Sequence, residues 1–411
     1  MPDRRTSPAT LAPGRPAPAQ PALSQASRTP AQPTATPRDR VPQARPKATR
    51  SVRPAVAPVL VEVRRGGIVE SRHRGHVVQV GLDGSIEHAI GDPSVVVALR
   101  SAAKPLGLVA FVEAGVADAL ALSQAELAVL AASHSGEDLH VRTIQAVLRR
   151  AGISQNLLAC GTENAPLDPV TAQRLAGDGE RPGAIRHQCS GQHVSFLLFA
   201  KHAGWSLEDY WKPEHPTQVA FREALARVLG MKAGHLVTSV DACGILTYHV
   251  PLVEVARAYR RLADPAGSAT DAAGRSLVPA LTRIRDAMIA APDLVAGTHD
   301  RFDTALMRTL PGRACAKGGA EGLQAIALLP PTTKGAGSVV GGLAVKIDDG
   351  DGKGRARPAA SVEALRQMGV VGDPELRRLA PYHRPRLVDP RGGVAGEVVP
   401  VFDLAPLSEL R

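Results

Sequence analysis

Ser101 and Lys104 stand three residues apart in the run Arg100-Ser101-Ala102-Ala103-Lys104-Pro105. Residues i and i+3 share one face of a helix, so in a helical first turn the lysine amine can reach the serine hydroxyl. A lysine whose pKa is lowered by burial or by a second cation can accept the hydroxyl proton and activate the oxygen as a nucleophile. The same spacing also occurs where a serine caps a helix and the lysine lies at the surface.

Two further polar runs carry groups that catalysis uses. Ser133 lies in Ala132-Ser133-His134-Ser135-Gly136-Glu137, directly behind an apolar run. Lys317 opens Lys317-Gly318-Gly319-Ala320-Glu321-Gly322, whose glycines let backbone N–H groups approach a ligand closely. Taken singly, the first run is also typical of a helix cap and the second of an ordinary turn.

Two other runs contain thiols and imidazoles, which are zinc ligands in many proteins. They are His187-Gln188-Cys189-Ser190-Gly191-Gln192-His193 and Asp241-Ala242-Cys243-Gly244. A structural zinc site usually has paired ligands such as Cys-x-x-Cys, whereas these cysteines are single. Spacing alone does not decide whether these cysteines bind a metal or are buried reduced thiols.

The hydrophobic pattern predicts the elements that must position these residues. Runs rich in β-branched and apolar residues predict strands at 59–63, 76–80, 95–98, 322–329 and 342–347. Helical spacing predicts helices within 106–130, with Ser123 as an N-cap, and at 138–150, 191–203, 216–229 and 271–291. The fold class predicted from these elements is a mixed α/β (α+β) body.

The first 54 residues have a different composition. Residues 1–58 hold ten Lys and Arg against Asp3 and Asp39, a balance of about +8 within the net +10 of the whole chain. This stretch is rich in Pro, Ala and Arg and has no aromatic residue, which is typical of disorder. We therefore predict a disordered tail over 1–54 and a single large domain over 55–411.

Composition also excludes several classes of protein. With 44% hydrophobic and 21% charged residues, the chain can bury a sizeable core. It has no uninterrupted apolar run near the roughly 18–20 residues of a membrane span, so we predict no membrane partner. Outside the tail the net charge is only about +2, so we predict no nucleic-acid partner. Four scattered cysteines and no secretory signal predict a reduced, cytoplasmic protein.

Taken in chain order, the runs at 100–105, 132–137, 187–193, 241–244 and 317–322 resemble the motif series of the L-asparaginase II family of the Rhizobium etli type. Three further stretches also resemble that family, namely Glu70-Ser71-Arg72-His73-Arg74-Gly75, Val295-Ala296-Gly297-Thr298 and Lys346-Ile347-Asp348-Asp349-Gly350-Asp351. The resemblance covers about 58–411, and several motifs in the right order are far more specific than any one of them.

The resemblance implies an asparaginase catalytic domain of penicillin-binding-like and glutaminase-like architecture, with an antiparallel sheet and flanking helices. The implied reaction is hydrolysis of the side-chain amide of L-asparagine to aspartate and ammonia. By position, Ser101 pairs with Lys104 and Ser133 with Lys317. We expect Ser101 to be the nucleophile and Lys104 its base, while Ser133 and Lys317 relay protons.

The remaining site residues follow from the same resemblance. The candidates for binding the charged groups of the amino acid are Arg100, His187, Asp241 and Glu321. The positions that match Cys189, Gln192 and Cys243 bind zinc in the family, which has lysine at the middle one. Because a neutral amide oxygen is a poor ligand for thiolate-bound zinc, the sequence leaves open whether zinc is a cofactor of this protein. A homodimer is implied, and no organic cofactor is expected.

A second departure from the family's motifs leaves the identity of the substrate open. At Cys160-Gly161-Thr162-Glu163-Asn164-Ala165-Pro166 the family commonly has a histidine before the proline, whereas this chain has Glu163 and Asn164. One alternative is therefore a related amidohydrolase, or a β-lactam-recognising serine hydrolase, that acts on another amide. Another is a non-catalytic metal- or nucleic-acid-binding protein that uses Cys189, Cys243 and the basic tail.

Overall fold

The structure of the protein, a computed structural model, describes residues 56–268, 274–330, 339–404 and 406. The predicted tail over 1–54 lies outside the described residues, so it stays a prediction together with its boundary. The described part of the chain contains a large antiparallel sheet, a small antiparallel sheet and helices packed around them. The prediction of a mixed α/β fold with an antiparallel sheet and flanking helices is therefore confirmed.

The strands are β1 (Val59–Arg65), β2 (Ile68–Val80), β3 (Ile86–Ile90), β4 (Val96–Ala98), β5 (Val237–Val240), β6 (Leu246–Pro251), β7 (Ala314–Gly318), β8 (Leu323–Leu328), β9 (Gly341–Ile347), β10 (Arg386–Val388) and β11 (Val394–Pro400). In the part of the chain that is described, the large sheet runs β10-β11-β1-β2-β9-β8-β7, with β3 paired to β2. The small sheet runs β4-β6-β5. The strands predicted at 59–63, 76–80, 95–98, 322–329 and 342–347 all belong to these sheets.

The long strand β2 shows how the hydrophobic pattern selects its partners. Its first half is mostly exposed and pairs with β1, and its second half is buried and pairs with β9 on one side and β3 on the other. The turn from β1 to β2 is made by Gly66 and Gly67, which both have positive φ. Strands β1, β2 and β3 therefore form a β-meander at the start of the domain.

The helices are α1 (Lys104–Gly107), α2 (Val109–Glu113), α3 (Val116–Ala119), α4 (Gln124–Leu130), α5 (Asp138–Ala151), α6 (Pro169–Gly177), α7 (Ser190–His202), α8 (Pro216–Leu229), α9 (Leu252–Ala263), α10 (Val278–Ala290), α11 (Pro292–Val295), α12 (Phe302–Thr309), α13 (Ala356–Gln367), α14 (Asp373–Arg378) and α15 (Ala380–His383). Short 3₁₀ helices include Arg100–Ala103. No helix of the described residues is long and apolar enough to cross a membrane.

Most predicted helices are present with small changes at their ends. The stretch 106–130 is divided into short helices because Gly115 and Ala121 adopt positive φ, which ends a right-handed helix. Ser123 caps α4 as predicted, in a capping box with Glu126. The helix predicted over 271–291 begins only at Val278, and residues 269–273 lie outside the described residues.

Helix α9 packs directly on the large sheet, against β8, β9 and β2. The contact is close because β9 carries Gly342 opposite the helix, where an added β carbon would overlap the Ala256 carbonyl oxygen and lie 2.7 Å from the Arg260 nitrogen. Helix α13 packs on β9, β1 and β11. Strands β7 and β8 are buried along their whole length, so the end of β7 that carries Lys317 is held inside the protein.

We expect Gly342→Ala to lower the free energy of unfolding by about 1–3 kcal/mol, because a methyl group there must push α9 away from the sheet. Gly234→Ala is the matched control, since a β carbon at Gly234 meets no atom within 4 Å. Denaturant melts of both variants measure the difference. Equal stability of the two variants would contradict the proposed close contact.

Candidate active site

The segment that carries Ser101 is fixed at the junction of β4 and α1. Leu99 N–H donates to the Tyr248 carbonyl at 2.8 Å, and Arg100 N–H donates to the Thr247 hydroxyl at 2.9 Å. Arg100 has a φ of 46°, in the region that a non-glycine residue adopts only under local constraint. Ser101 follows in the 3₁₀ helix, half-buried in the wall of a cavity.

Two buried lysines meet at the hydroxyl of Ser133. Lys104 Nζ lies 3.1 Å from Ser133 Oγ, and Lys317 Nζ lies 2.9 Å from the same oxygen. Both lysine side chains are almost fully buried, and each also donates to a backbone carbonyl, Lys104 to Ala132 and Lys317 to Gly318. Lys104, Ser133 and Lys317 therefore form one continuous hydrogen-bonded chain, which we call the lysine–serine chain.

The structure thus brings together three of the four residues predicted to be catalytic. Lys317 contacts Ser133, the pairing that the resemblance implies. Lys104, which the resemblance pairs with Ser101, also contacts Ser133. Among the described residues, no hydrogen bond of the Ser101 hydroxyl is found, so this hydroxyl is available to a ligand in the cavity. Ser101, Ser133 and Lys317 line that cavity, and Lys104 lies beneath its wall.

Burial dominates the electrostatics of Lys317. It lowers the pKa of this lysine to about 7, and the nearby Lys104 and Arg301 act in the same direction against the opposing charge of Asp303. Burial also opposes ionisation of Asp303, yet the charges of Lys317 and Arg357 hold the pKa of that carboxyl below its ordinary value. Asp303 accepts hydrogen bonds from Gly318 N–H at 2.8 Å and from Gln324 at 2.9 Å, so its position is fixed.

Cys189 and Cys243 line the same cavity. Lys104 Nζ donates to Cys189 Sγ at 3.2 Å. The hydrogen bond from the Cys243 thiol holds the pKa of Cys189 well below its ordinary value, against the effect of burial and with the help of the Lys104 charge. The same hydrogen bond, together with burial, raises the pKa of Cys243. Cys189 is therefore the more acidic thiol of the pair and Cys243 the less acidic one.

The residues around the two sulfur atoms do not fit a zinc site. Throughout the described ranges, no histidine, carboxylate or third cysteine places a ligand atom within 4.8 Å of both sulfurs. His187 accepts the Cys189 N–H through Nδ1 at 3.1 Å, so this ring nitrogen already has a partner. Zinc requires three or four good ligands, whereas the described residues add no third thiol, histidine or carboxylate ligand atom to the two sulfur atoms.

A different cluster does place three ligand atoms within 4.8 Å of one another, namely Glu137, Asp168 and His299. Its carboxylates already have partners: Glu137 accepts Thr298 N–H at 2.8 Å, and Asp168 accepts Thr171 N–H at 2.8 Å and its hydroxyl at 2.6 Å. The bond from Thr298 fixes the loop that precedes α12, and the bonds from Thr171 cap the start of α6. The cluster is therefore explained as a structural tether.

The residues predicted to bind the amino acid divide into two groups. Arg100 forms a bidentate ion pair with Asp241, at 2.8 and 3.0 Å, and both side chains line the cavity together with His187. Glu321 instead lies exposed in the turn between β7 and β8, with a φ of 57°, and is not part of the lining. Its charge still acts on Arg100, so it lies near the site without facing into it.

Two further positions from the sequence analysis lie away from the cavity. Gln192 is buried on α7 one turn beyond Cys189 and does not belong to the lining. Glu163 and Asn164, in the altered motif, are exposed and also outside the lining. The change in that motif therefore does not alter the wall of the cavity directly.

Sequence reasoning missed three charged residues at the centre of the site. Arg301 donates to the Ser133 carbonyl at 2.7 Å, Asp303 lies beside Lys317, and Arg357 reaches the Gly319 carbonyl at 3.3 Å. All three line the cavity, which has a volume of about 750 Å³. The dense polar run Thr298-His299-Asp300-Arg301 directly before α12 is the sequence signal that could have indicated the first two.

Residues 61–400 match the family model described as L-asparaginase II. The chain therefore belongs to the L-asparaginase II family. No curated protein matches the chain.

Several solved structures, probable glutaminases among them, are similar to the protein at low identity. The L-glutamate-binding form of Mglu in 4.3 M NaCl is 15% identical over 72% of this chain and 59% of that one, with a TM-score of 0.33. This chain therefore spans less than two thirds of the length of that protein. A probable glutaminase from Bacillus subtilis, complexed with 6-diazo-5-oxo-L-norleucine, is 11% identical over 72% of this chain and 84% of that one, with a TM-score of 0.35.

We expect the protein to hold little zinc. After dialysis against a chelator, addition of one equivalent of Zn²⁺ and desalting, elemental analysis should find well under one zinc per chain. Gln192→His places an imidazole one helical turn from Cys189 and should raise the zinc content, whereas Gln145→His on α5, outside the cavity lining, should not. One firmly held zinc in the unmodified protein would contradict the conclusion drawn from the ligands.

Proposed function

We propose that the protein is an L-asparaginase that hydrolyses the side-chain amide of L-asparagine to aspartate and ammonia through an acyl-enzyme on Ser101. The observation that carries this proposal is the buried lysine–serine chain below the cavity wall that presents the Ser101 hydroxyl. Membership of the L-asparaginase II family supports an amide substrate. The ion pair of Arg100 and Asp241 offers a positive and a negative group, which suit the carboxylate and ammonium of an amino acid.

The lysine–serine chain supports a division of labour between the two serines. Ser133 bridges both amines, the position of a group that passes protons between them. Ser101 has no such bonds, so its oxygen is free to turn toward a substrate carbonyl. The constrained backbone of Arg100 directly before it is the kind of local strain found at functional sites.

In the resting enzyme we take Lys104 to be an ammonium group and Lys317 to be the amine that can accept a proton from it. Lys104 has three acceptors within reach, the Ala132 carbonyl, Ser133 Oγ and Cys189 Sγ, which suits an ammonium group with three donors. Lys317 has a pKa of about 7 and is therefore about half neutral near that pH. Transfer of a proton from Lys104 through Ser133 to Lys317 leaves Lys104 neutral and able to act as a base.

The reaction then proceeds in two steps. Lys104 accepts the Ser101 proton while the serine oxygen bonds to the side-chain carbonyl carbon, and the relay returns a proton to the amide nitrogen as the C–N bond breaks and ammonia leaves. Water then attacks the aspartyl ester and its proton passes to the same relay. The C–O bond to Ser101 breaks as the relay returns that proton to the serine oxygen, which restores the hydroxyl and releases aspartate. No step requires a metal ion.

Ser101→Ala should abolish ammonia release from asparagine, because the nucleophile is lost. Ser133→Ala should lower kcat by about 100-fold or more, because the proton transfer between the lysines is interrupted. Ser206→Ala, an exposed serine outside the cavity, is the matched control and should retain full activity. Ser101→Ala activity comparable to that of the control would show that Ser101 is not the nucleophile.

The activity should depend on pH through Lys317. Below about pH 7 Lys317 carries its own proton and cannot accept one through Ser133, so kcat/KM should fall as the pH is lowered and rise to a plateau above it. Lys317→Arg should inactivate the enzyme at every pH, since a guanidinium does not become neutral. Lys201→Arg, at an exposed lysine, should leave the profile unchanged. A wild-type rate independent of pH across this range would contradict the proton relay.

A further inference from the structure

The cavity has a wall that the proposed mechanism does not use. This wall comes from the start of α13 and from the chain around β10 and β11, and we call it the C-terminal wall. It consists of Lys353, Arg355, Arg357, Tyr382, Leu387 and Val398. The cavity volume of about 750 Å³ lies within the ~300–1,000 Å³ that accommodate drug-sized ligands, which is more than asparagine alone fills.

Arg355 on this wall is held in a defined orientation. Its Nε donates to His73 Nε2 at 3.3 Å, and its Nη2 donates to the Ser71 hydroxyl at 3.3 Å. His73 is buried and donates through Nδ1 to Asp349 at 2.7 Å, so Nε2 is the acceptor of the ring. The histidine thereby connects the guanidinium to a carboxylate without placing that carboxylate against it.

The charges of Arg355 and Lys353 on this wall have no direct counterpart, whereas Arg357 acts on Asp303 and Tyr382 lies near Asp300. Among the residues that the structure describes, neither Arg355 nor Lys353 forms an ion pair. Arg355 keeps its Nη1 edge free of any hydrogen bond to a described residue. Tyr382, Leu387 and Val398 place apolar surface in the same wall. A ligand that fits this surface has an apolar portion and a carboxylate.

The amide nitrogen is the atom of asparagine that could carry such a group. In the proposed function the α-ammonium and α-carboxylate are taken by Asp241 and Arg100, so a substituent on either would disturb that pairing. A substituent on the side-chain nitrogen leaves both charges in place and departs with the leaving group.

We propose that the C-terminal wall is a subsite for the leaving group, and that the substrates include β-aspartyl dipeptides with an apolar second residue, such as β-aspartyl-leucine. This inference rests on the proposed function. Ser101 oxygen bonds to the β-carbonyl carbon, the C–N bond breaks, and the relay proton passes to the nitrogen so that leucine leaves as a free amino acid. Water then releases aspartate as it does with asparagine.

The test compares two substrates on the full-length protein: ammonia release from asparagine and leucine release from β-aspartyl-leucine. Arg355→Gln should lower the ratio of kcat/KM for the dipeptide to that for asparagine by about tenfold to a hundredfold, because a charge-assisted hydrogen bond to the leucine carboxylate is lost. Arg355→Lys should restore part of the ratio. Arg391→Gln, at an arginine that is 90% exposed and outside the cavity, should leave it unchanged.

A second substrate tests whether the carboxylate of the leaving group is what Arg355 recognises. β-Aspartyl-leucine amide lacks the carboxylate, so the wild-type enzyme should hydrolyse it more slowly than the acid, and Arg355→Gln should remove that difference. Hydrolysis of asparagine but not of the dipeptide would overturn this inference alone. An equal effect of Arg355→Gln on both substrates would also overturn it. Hydrolysis of neither would overturn the proposed function as well.

Discussion

Two lysine amines lie buried against a single hydroxyl, and much of the surrounding structure can be understood as the means of keeping them there. Two like charges in a poorly solvated interior repel each other and lose their hydration. The protein places one acidic group beside each lysine: Cys189 accepts from Lys104, and Asp303 acts on Lys317. Each acidic group has further partners, since Cys243 donates to Cys189 while Gly318 and Gln324 donate to Asp303. The balance still leaves Lys317 with a lowered pKa, which a proton relay needs.

The fold supplies this arrangement by joining distant parts of the chain. Lys104 begins α1 just after the small sheet, Ser133 follows α4, and Lys317 lies at the end of β7 in the large sheet. Arg301, directly before α12, joins α12 to the Ser133 segment, because its half-buried side chain donates to the Ser133 carbonyl. The buried strands β7 and β8 give Lys317 a rigid support, and α9 packs closely against β8 and β9.

The sequence predicted this site where local spacing or ordered motifs carried the information. Strands with β-branched residues and the cap at Ser123 were found because their signals are local. The contact of Lys104 with Ser133 could not be predicted, since helical spacing relates Lys104 only to Ser101. Arg301, Asp303 and Arg355 were missed for the same reason, because each acts through a tertiary contact. Glu321 was placed in the site by motif position, but its positive φ turns the backbone so that the side chain lies outside the cavity.

The central claim is that Ser101 carries the acyl group while Ser133 relays protons. The most direct measurement is to quench the enzyme with acid during turnover of asparagine and to locate the aspartyl ester by peptide mass spectrometry. The enzyme carries the Ser133→Ala substitution, which slows hydrolysis of the ester. The account predicts an aspartyl adduct on the peptide that contains Ser101 and none in Ser101→Ala. An adduct on the peptide that contains Ser133, or turnover by Ser101→Ala, would contradict it.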